Sequence, residues 1–580
     1  MAPSLLPVVR RLSFPSGTPA FETARQSLID EFSAKVPREY YISSSIIDHP
    51  SKNVIGIPRE SGILSQEEID ITENFDAVSL AAAIAAREFT AVVVATAFAK
   101  RAIIAHQLTC CLTEWFMEEA IDQARALDEH LAKTGTTVGP LHGVPISVKE
   151  MIPIAGHHSS LGFLVTRHRD EADSQMIAIL RKAGAVFYCK TAQPQGVMHL
   201  ETVSLHGRVL NPHNIDLTAG GSTGGAAALL ALRGSVLSVG TDIGGSIRAP
   251  ASFCGLYGFK PTSYTLPMKG FVGADGFAAE LNVLASAGPL GVSLRDMDLF
   301  VAAVKAAQPH LEDPRLVPIP WRGLTGRRPK GATPPLRVGF MMDDGVITPQ
   351  PPVTRALDWA RARLSGSPDF EVKGFAPYRV GEALRNIQLA FFPDGGRQIR
   401  DALAATGEPM LPLTQSVIRE AESAGQDLDA AGVLRQRVAR DDFRCAFAAH
   451  WNEAGVDVVV CPAYVGPACA HETGRFWNYT ALWNYVDYPG AVVPTPIRAL
   501  GKGAEGYSPR GGDDDDDDDD DDEAVMGAQD EQVRRLWAEG DFEGAPVGIQ
   551  VVARKYHDND LFAALGAMEG PLGLGGGNAL

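Results

Sequence analysis

Ten glycines fall within the 44 residues from Ala219 to Thr262, AGGSTGGAAALLALRGSVLSVGTDIGGSIRAPASFCGLYGFKPT. Glycine marks tight turns and places where backbones approach one another or a ligand closely. Two clusters, GGSTGG and GTDIGG, each carry a serine at or just beyond the glycines, Ser222 and Ser246. A phosphate cradle needs GxxxxGK[ST] or GxGxxG between strand and helix, and neither pattern is present. Gly220–Gly224 formally matches GxSxG, with Ser222 at the centre. That elbow requires a strand immediately before it and a downstream acid and histidine. The preceding NPHNIDLTA reads as loop chemistry, and His471 and His557 are unremarkable partners.

Upstream, GPLHGVPISVKE reads as a turn and a short strand. Val144, Ile146 and Val148 alternate onto one face, with Ser147 and Lys149 on the other. SQMIAILRKAGA followed by VFYCK reads as helix then strand, half of a layered α/β unit. LRVGFMM (336–342), DVVVCP (456–462) and VGIQVV (547–552) read as further strands.

These segments together resemble the amidase signature family. GVPISVKE matches its lysine motif, and GGSTGG and GTDIGGSIRAPASFCGLYGFKPT match its two serine motifs. KTAQPQGVMHLET, NPHNIDLTAGG, NYVDYPGAVVP and EGAPVGIQVVAR follow in the same order. The resemblance covers about residues 60–300 and 450–565. IPRESGILSQEEIDITE resembles the acetamidase-like, stand-alone branch. The resemblance implies an α/β fold with a large central mixed β-sheet flanked by helices, an α/β/α sandwich. It also implies Ser246 as nucleophile, Ser222 as bridging serine in a cis peptide, and Lys149 as base. The implied oxyanion hole is Ile243, Gly244 and Gly245. Gly196, Val197 and Met198, just after PQ, are the implied acyl-pocket residues. Thr223 stands where the family commonly has a second serine and is grouped with the substrate contacts.

Physical chemistry supports these roles independently. A serine hydroxyl attacks poorly until a base takes its proton. Lysine, with an ordinary pKa near 10.4, serves as that base only where burial lowers it. Backbone N–H groups stabilise the oxyanion of acyl transfer, and those of Ile243, Gly244, Gly245 and Ser246 suit such a donor nest. Asp242 and Arg248, flanking the nest, are read as an ion pair that holds the loop. Asp487 is read as structural, and the aromatic run 476–489 as core packing.

The expected function is hydrolysis of a carboxylic acid amide to acid plus ammonia or amine through an acyl-enzyme on Ser246. Three alternatives stay open: the amide-transferring subunit of a tRNA-dependent amidotransferase, an esterase using Ser222, and a non-catalytic binder on the same scaffold. The formal net charge is −18, and ten of those charges are the run Asp513–Asp522. The remainder is mildly acidic, which argues against a nucleic-acid surface. No uncharged apolar run reaches the ~18 residues of a membrane span. The expected partner is a small-molecule amide, with no nucleic acid, no membrane and a homodimer as the assembly left open. Neither an HExxH nor a Cys/His cluster occurs, so no metal and no cofactor is expected. Seven scattered cysteines suit a reducing compartment, and MAPSLLPVVRRLSFPSG lacks the apolar core of a secretory signal. A cytoplasmic location is expected, with a transit peptide left open.

The expected organisation has four parts. Residues 1–75 form an N-terminal extension and helical cap, and 76–310 a core, helical from Asp76 to about Lys133. Residues 311–450 form a mostly helical insertion or lobe, and 451–570 the rest of the core. The acidic loop at about 500–530 is read as disordered.

Overall fold

Eleven short segments, most of them buried along their whole length, assemble into one sheet in the computed structural model, which describes residues 5–273, 282–507 and 527–574. The strands are β1 (Leu112–Trp115), β2 (Pro145–Lys149), β3 (Val186–Thr191), β4 (Leu237–Asp242), β5 (Tyr257–Lys260) and β6 (Ser286–Gly291). They continue as β7 (Leu336–Phe340), β8 (Phe370–Gly374), β9 (Val458–Pro462), β10 (Gly490–Arg498) and β11 (Pro546–Val552). Their order across the sheet is β1-β3-β2-β4-β6-β5-β10-β11-β9-β7-β8. β2 runs parallel to both β3 and β4, whereas β4 runs antiparallel to β6. The sheet is therefore mixed, and helices cover it, as strands buried on both faces require.

β2 and β3 form where the sequence places them, because continuous runs such as PISVK and VFYCKT bury every residue. β1 was not foreseen. Its four residues interrupt the helical stretch expected from Asp76 to about Lys133 and add an antiparallel edge to β3. The segment 311–450, expected as an insertion or lobe, is mostly helical. Even so, it supplies β7 and β8, parallel neighbours that extend the same sheet beyond β9. Asn214–Thr218, expected as loop, is a strand, paired with Leu210–Asn211 in a separate two-stranded ribbon.

One helix corrects the reading of the apolar runs. α1 (Ala91–Thr109) is long and apolar enough to cross a membrane by length and composition. Thr90 caps its start by accepting from Val93 N–H. Val94, Phe98, Ile103, Ile104 and Leu108 are completely buried within the molecule, so α1 packs as a core helix. The Asp513–Asp522 tract lies outside the described residues.

The aromatic run is core. α5 of the local series, with α2 (Gly224–Ala231), α3 (Arg248–Phe253) and α4 (Ala430–Ala454) before it, spans Asn478–Tyr485 and is buried throughout. Trp483 packs edge-on against Phe447 and Trp451 of α4.

Candidate active site

The parallel strands β2, β3 and β4 end together at one edge of the sheet, where crevices of open α/β sheets bind ligands. Lys149 closes β2 opposite Thr191 of β3. Thr241 and Asp242 close β4 beside it.

Lys149 is fully buried. Its Nζ donates to Ser222 Oγ at 2.6 Å and to Thr241 Oγ1 at 2.9 Å. Burial lowers its pKa to about 7, although the negative charges of Asp242 and Glu150 pull the other way. At neutral pH a large share of this lysine is therefore uncharged and able to accept a proton. Thr241 was missed in the sequence. Its only signal was its place within GTDIGGSIR.

Ser222 sits between the ribbon strand and α2, and the Gly221–Ser222 peptide is cis. α2 starts two residues later against the ends of β1 and β3. A Cβ on Gly225 would stand 2.5 Å from both Cys111 O and Ala192 N, which is why this helix begins on glycine.

Ser246 lies in the turn between β4 and α3 and is 5% exposed. Two ties fix this turn. The Thr223 N–H donates to Ser246 O at 3.1 Å, joining the two serine loops. The Asp242 carboxylate accepts from the N–H groups of Gly245 (2.9 Å) and Ile247 (3.1 Å). Arg248 grips the same carboxylate through Nε at 3.0 Å and Nη2 at 2.9 Å. Asn484 Nδ2 also donates to Asp242, and Arg248 Nη1 donates to Gln550 Oε1 at 2.7 Å. Burial opposes the charge on Asp242, but the Arg248 guanidinium more than offsets it and holds the carboxyl well below the usual range. Thr480 Oγ1 donates to Gly244 O at 2.6 Å.

Of the expected donor nest, the Gly245 N–H is thus engaged by Asp242. The N–H groups of Ile243, Gly244 and Ser246 have no acceptor among the described residues.

Ser222, Ser246, Thr241 and Ile243 line a cavity of about 50 Å³. Its remaining walls are mainly apolar, formed by Met151, Leu161, Val197, Met198, Met268 and Val272. Val197 and Met198 are therefore wall residues. Gly196 is not: its N–H is tied to Leu161 O beside the wall. Thr223 is buried behind Ser222, where its hydroxyl donates to Thr241 O at 3.4 Å. Met151, Leu161, Met268 and Val272 carried no motif and were missed.

No histidine lines this cavity. His471 Nε2 lies 3.1 Å from Ile215 O, and His557 pairs with Asp560 on the surface. Asp487 accepts from Ser263 N–H and pairs with Lys555 at 3.0 Å, a structural anchor. No group of three or more His, Cys, Asp or Glu among the described residues is arranged to hold a metal ion.

An α/β sheet whose strand ends gather two serines, a desolvated lysine and unpaired backbone donors has the equipment of an acyl-transfer hydrolase. The chain belongs to the amidase family, hydrolases of amide bonds, whose sequence profile matches residues 93–562. An amidase homologue of Schizosaccharomyces pombe is 42% identical over 88% of this chain and 92% of its own length. The acetamidase of Emericella nidulans is 33% identical over 88% and 91%. Among solved structures, a fatty acid amide hydrolase superposes with a TM-score of 0.85 at 31% identity, covering 97% of this chain and 96% of that one.

Proposed function

We propose that the chain hydrolyses amides of short carboxylic acids to the acid plus ammonia or amine, through an ester formed on Ser246. The carrying observation is the 2.6 Å contact of the buried Lys149 Nζ with Ser222 Oγ, in the cavity that Ser246 also lines. Uncharged Lys149 takes the Ser222 proton as Ser222 takes that of Ser246. The Ser246 oxygen then bonds to the amide carbon. The N–H groups of Ile243, Gly244 and Ser246 stabilise the oxyanion, each donor of this kind being worth about 3–4 kcal/mol. The proton returns through the same relay to the departing nitrogen, the C–N bond breaks, and water cleaves the ester by the reverse path.

Cavity size supports the short acyl group. About 50 Å³ holds roughly four water-sized groups, at the ~10–15 Å³ that each needs. The acetamidase relative agrees with this reading, and the fatty acid amide hydrolase neighbour pulls towards longer chains.

Ammonia release from acetamide, propanamide, hexanamide and benzamide tests it. The expected order has kcat/KM highest for the two short amides and at least tenfold lower for hexanamide and benzamide. A preference for hexanamide would contradict the short-acyl assignment.

A further inference from the structure

Ser222 is the middle residue of Gly220–Gly224, and one side chain from another segment ties both ends of that stretch. Thr202 is 1% exposed. Its hydroxyl donates to Gly220 O at 2.9 Å and accepts from the Gly224 N–H at 3.2 Å. Its proton and a lone pair are thus both used, on residues either side of Ser222. The Gly224 N–H is among the first donors of α2, which no intrahelical carbonyl reaches. Thr223, at the N-cap, makes no side-chain cap of its own, so Thr202 supplies the acceptor from outside.

The glycines leave room for that segment. A Cβ on Gly224 would collide with Thr202 Oγ1. One on Gly221 would stand 2.6 Å from Glu201 N and 2.9 Å from Leu200 C. The chain from Leu200 to Thr202 therefore lies directly on the Ser222 loop, and it is anchored there. The Val209 N–H donates to Thr202 O at 2.9 Å. The fully buried Glu201 carboxylate accepts from Arg208 and, at 2.7 Å, from the Glu472 N–H.

Thr202 does not line the small cavity, whereas Val197 and Met198 of the same segment do. Its hydroxyl reaches the chemistry only through the loop. Ser222 Oγ has to stay at the 2.6 Å contact with Lys149 Nζ while remaining in the cavity that Ser246 lines. Misplacing such a group by about 1 Å can cost ~10²-fold in rate.

We propose that Thr202 is a positioning residue for amide hydrolysis: its hydroxyl staples the Ser222 loop across Gly220 and Gly224 and holds Ser222 between Lys149 and Ser246. This inference rests on the relay proposed above.

Two readings test it, acetamide turnover and the rate at which a fluorophosphonate labels Ser246. Both are taken on Thr202→Val, Thr202→Ser, Ser222→Ala and the Thr202→Val/Ser222→Ala double variant. Valine keeps the shape and removes the hydroxyl. Thr202→Val should lower kcat and the labelling rate roughly tenfold or more, with KM within about twofold, because only the loop moves. Serine keeps the hydroxyl, and Thr202→Ser should stay within about threefold of the unaltered chain on both readings. In the Ser222→Ala background, Thr202→Val should change the labelling rate by less than about twofold, since a residue acting only through Ser222 has nothing left to position. A residue that merely stabilised the fold would slow both backgrounds alike. Thr202→Cys, whose thiol donates and accepts weakly, carries the same comparison should Thr202→Val fold poorly. Unchanged kcat in Thr202→Val, no rescue in Thr202→Ser, or the full loss repeated on top of Ser222→Ala would overturn the proposal and leave the relay standing. Undiminished kcat in Ser222→Ala would remove the relay itself, and the inference with it.

Discussion

The proposed mechanism concentrates the chemistry in one desolvated amine, Lys149. In that mechanism its protonated form cannot accept the Ser222 proton, so activity depends on the neutral form. With the pKa lowered to about 7 by burial, kcat/KM for acetamide should rise as pH increases through about 7 and level off above it. Lys149→Ala should remove that limb together with most of the turnover. A limb centred near the ordinary lysine value would contradict the assignment. Asp242 and Arg248 show the opposite use of burial, a charge pair held at zero exposure. Asp242→Asn leaves Arg248 as an uncompensated buried cation. It should cost about 3–5 kcal/mol, read as a lower denaturant midpoint. At this scale the sequence singled out side chains that the structure brings together, because Lys149, Ser222 and Ser246 sit in distinctive glycine-flanked motifs. It did not show hydrogen-bond bookkeeping: that Asp242 occupies the Gly245 N–H, or that Thr241 shares Lys149, depends on backbone direction at the end of β4.

The elements matter because two loops must meet. The Ser246 turn is shaped by Gly245, whose φ of +132° L side chains rarely adopt and whose added Cβ would stand 2.3 Å from Thr480 Oγ1. Thr480 cannot easily yield, since its hydroxyl donates to Gly244 O. Gly245→Ala should therefore shift the turn and lower kcat at least tenfold with the overall fold retained, as read by circular dichroism beside the activity assay. Undiminished kcat would show that the turn tolerates the shift. Long periodic segments such as Met117–Thr134 and full-length apolar strands such as β9 and β11 were legible. β1 and Asn214–Thr218 were not. Both are only four or five residues long, and Asn214–Thr218 carries polar residues that also suit a loop.

For the whole molecule, one sheet runs through segments far apart in the chain. β9 and β11 return to it as expected, and β7 and β8 extend it from within the region that reads as a helical lobe. β7 was legible in LRVGFMM, but helical periodicity beyond it hid the five-residue β8. Arg10 and Arg25, near the N-terminus, lie in the structure against Gly207 and Phe14 respectively and wall a cavity.

The central claim is that Ser246 is the nucleophile, activated through Ser222 by Lys149. Mass-spectrometric mapping of the adduct left by a serine-directed fluorophosphonate tests it most directly. The account predicts the adduct on Ser246, none in Ser246→Ala, and slower labelling at the same residue in Ser222→Ala. An adduct on Ser222, or undiminished labelling of Ser246→Ala, would contradict it.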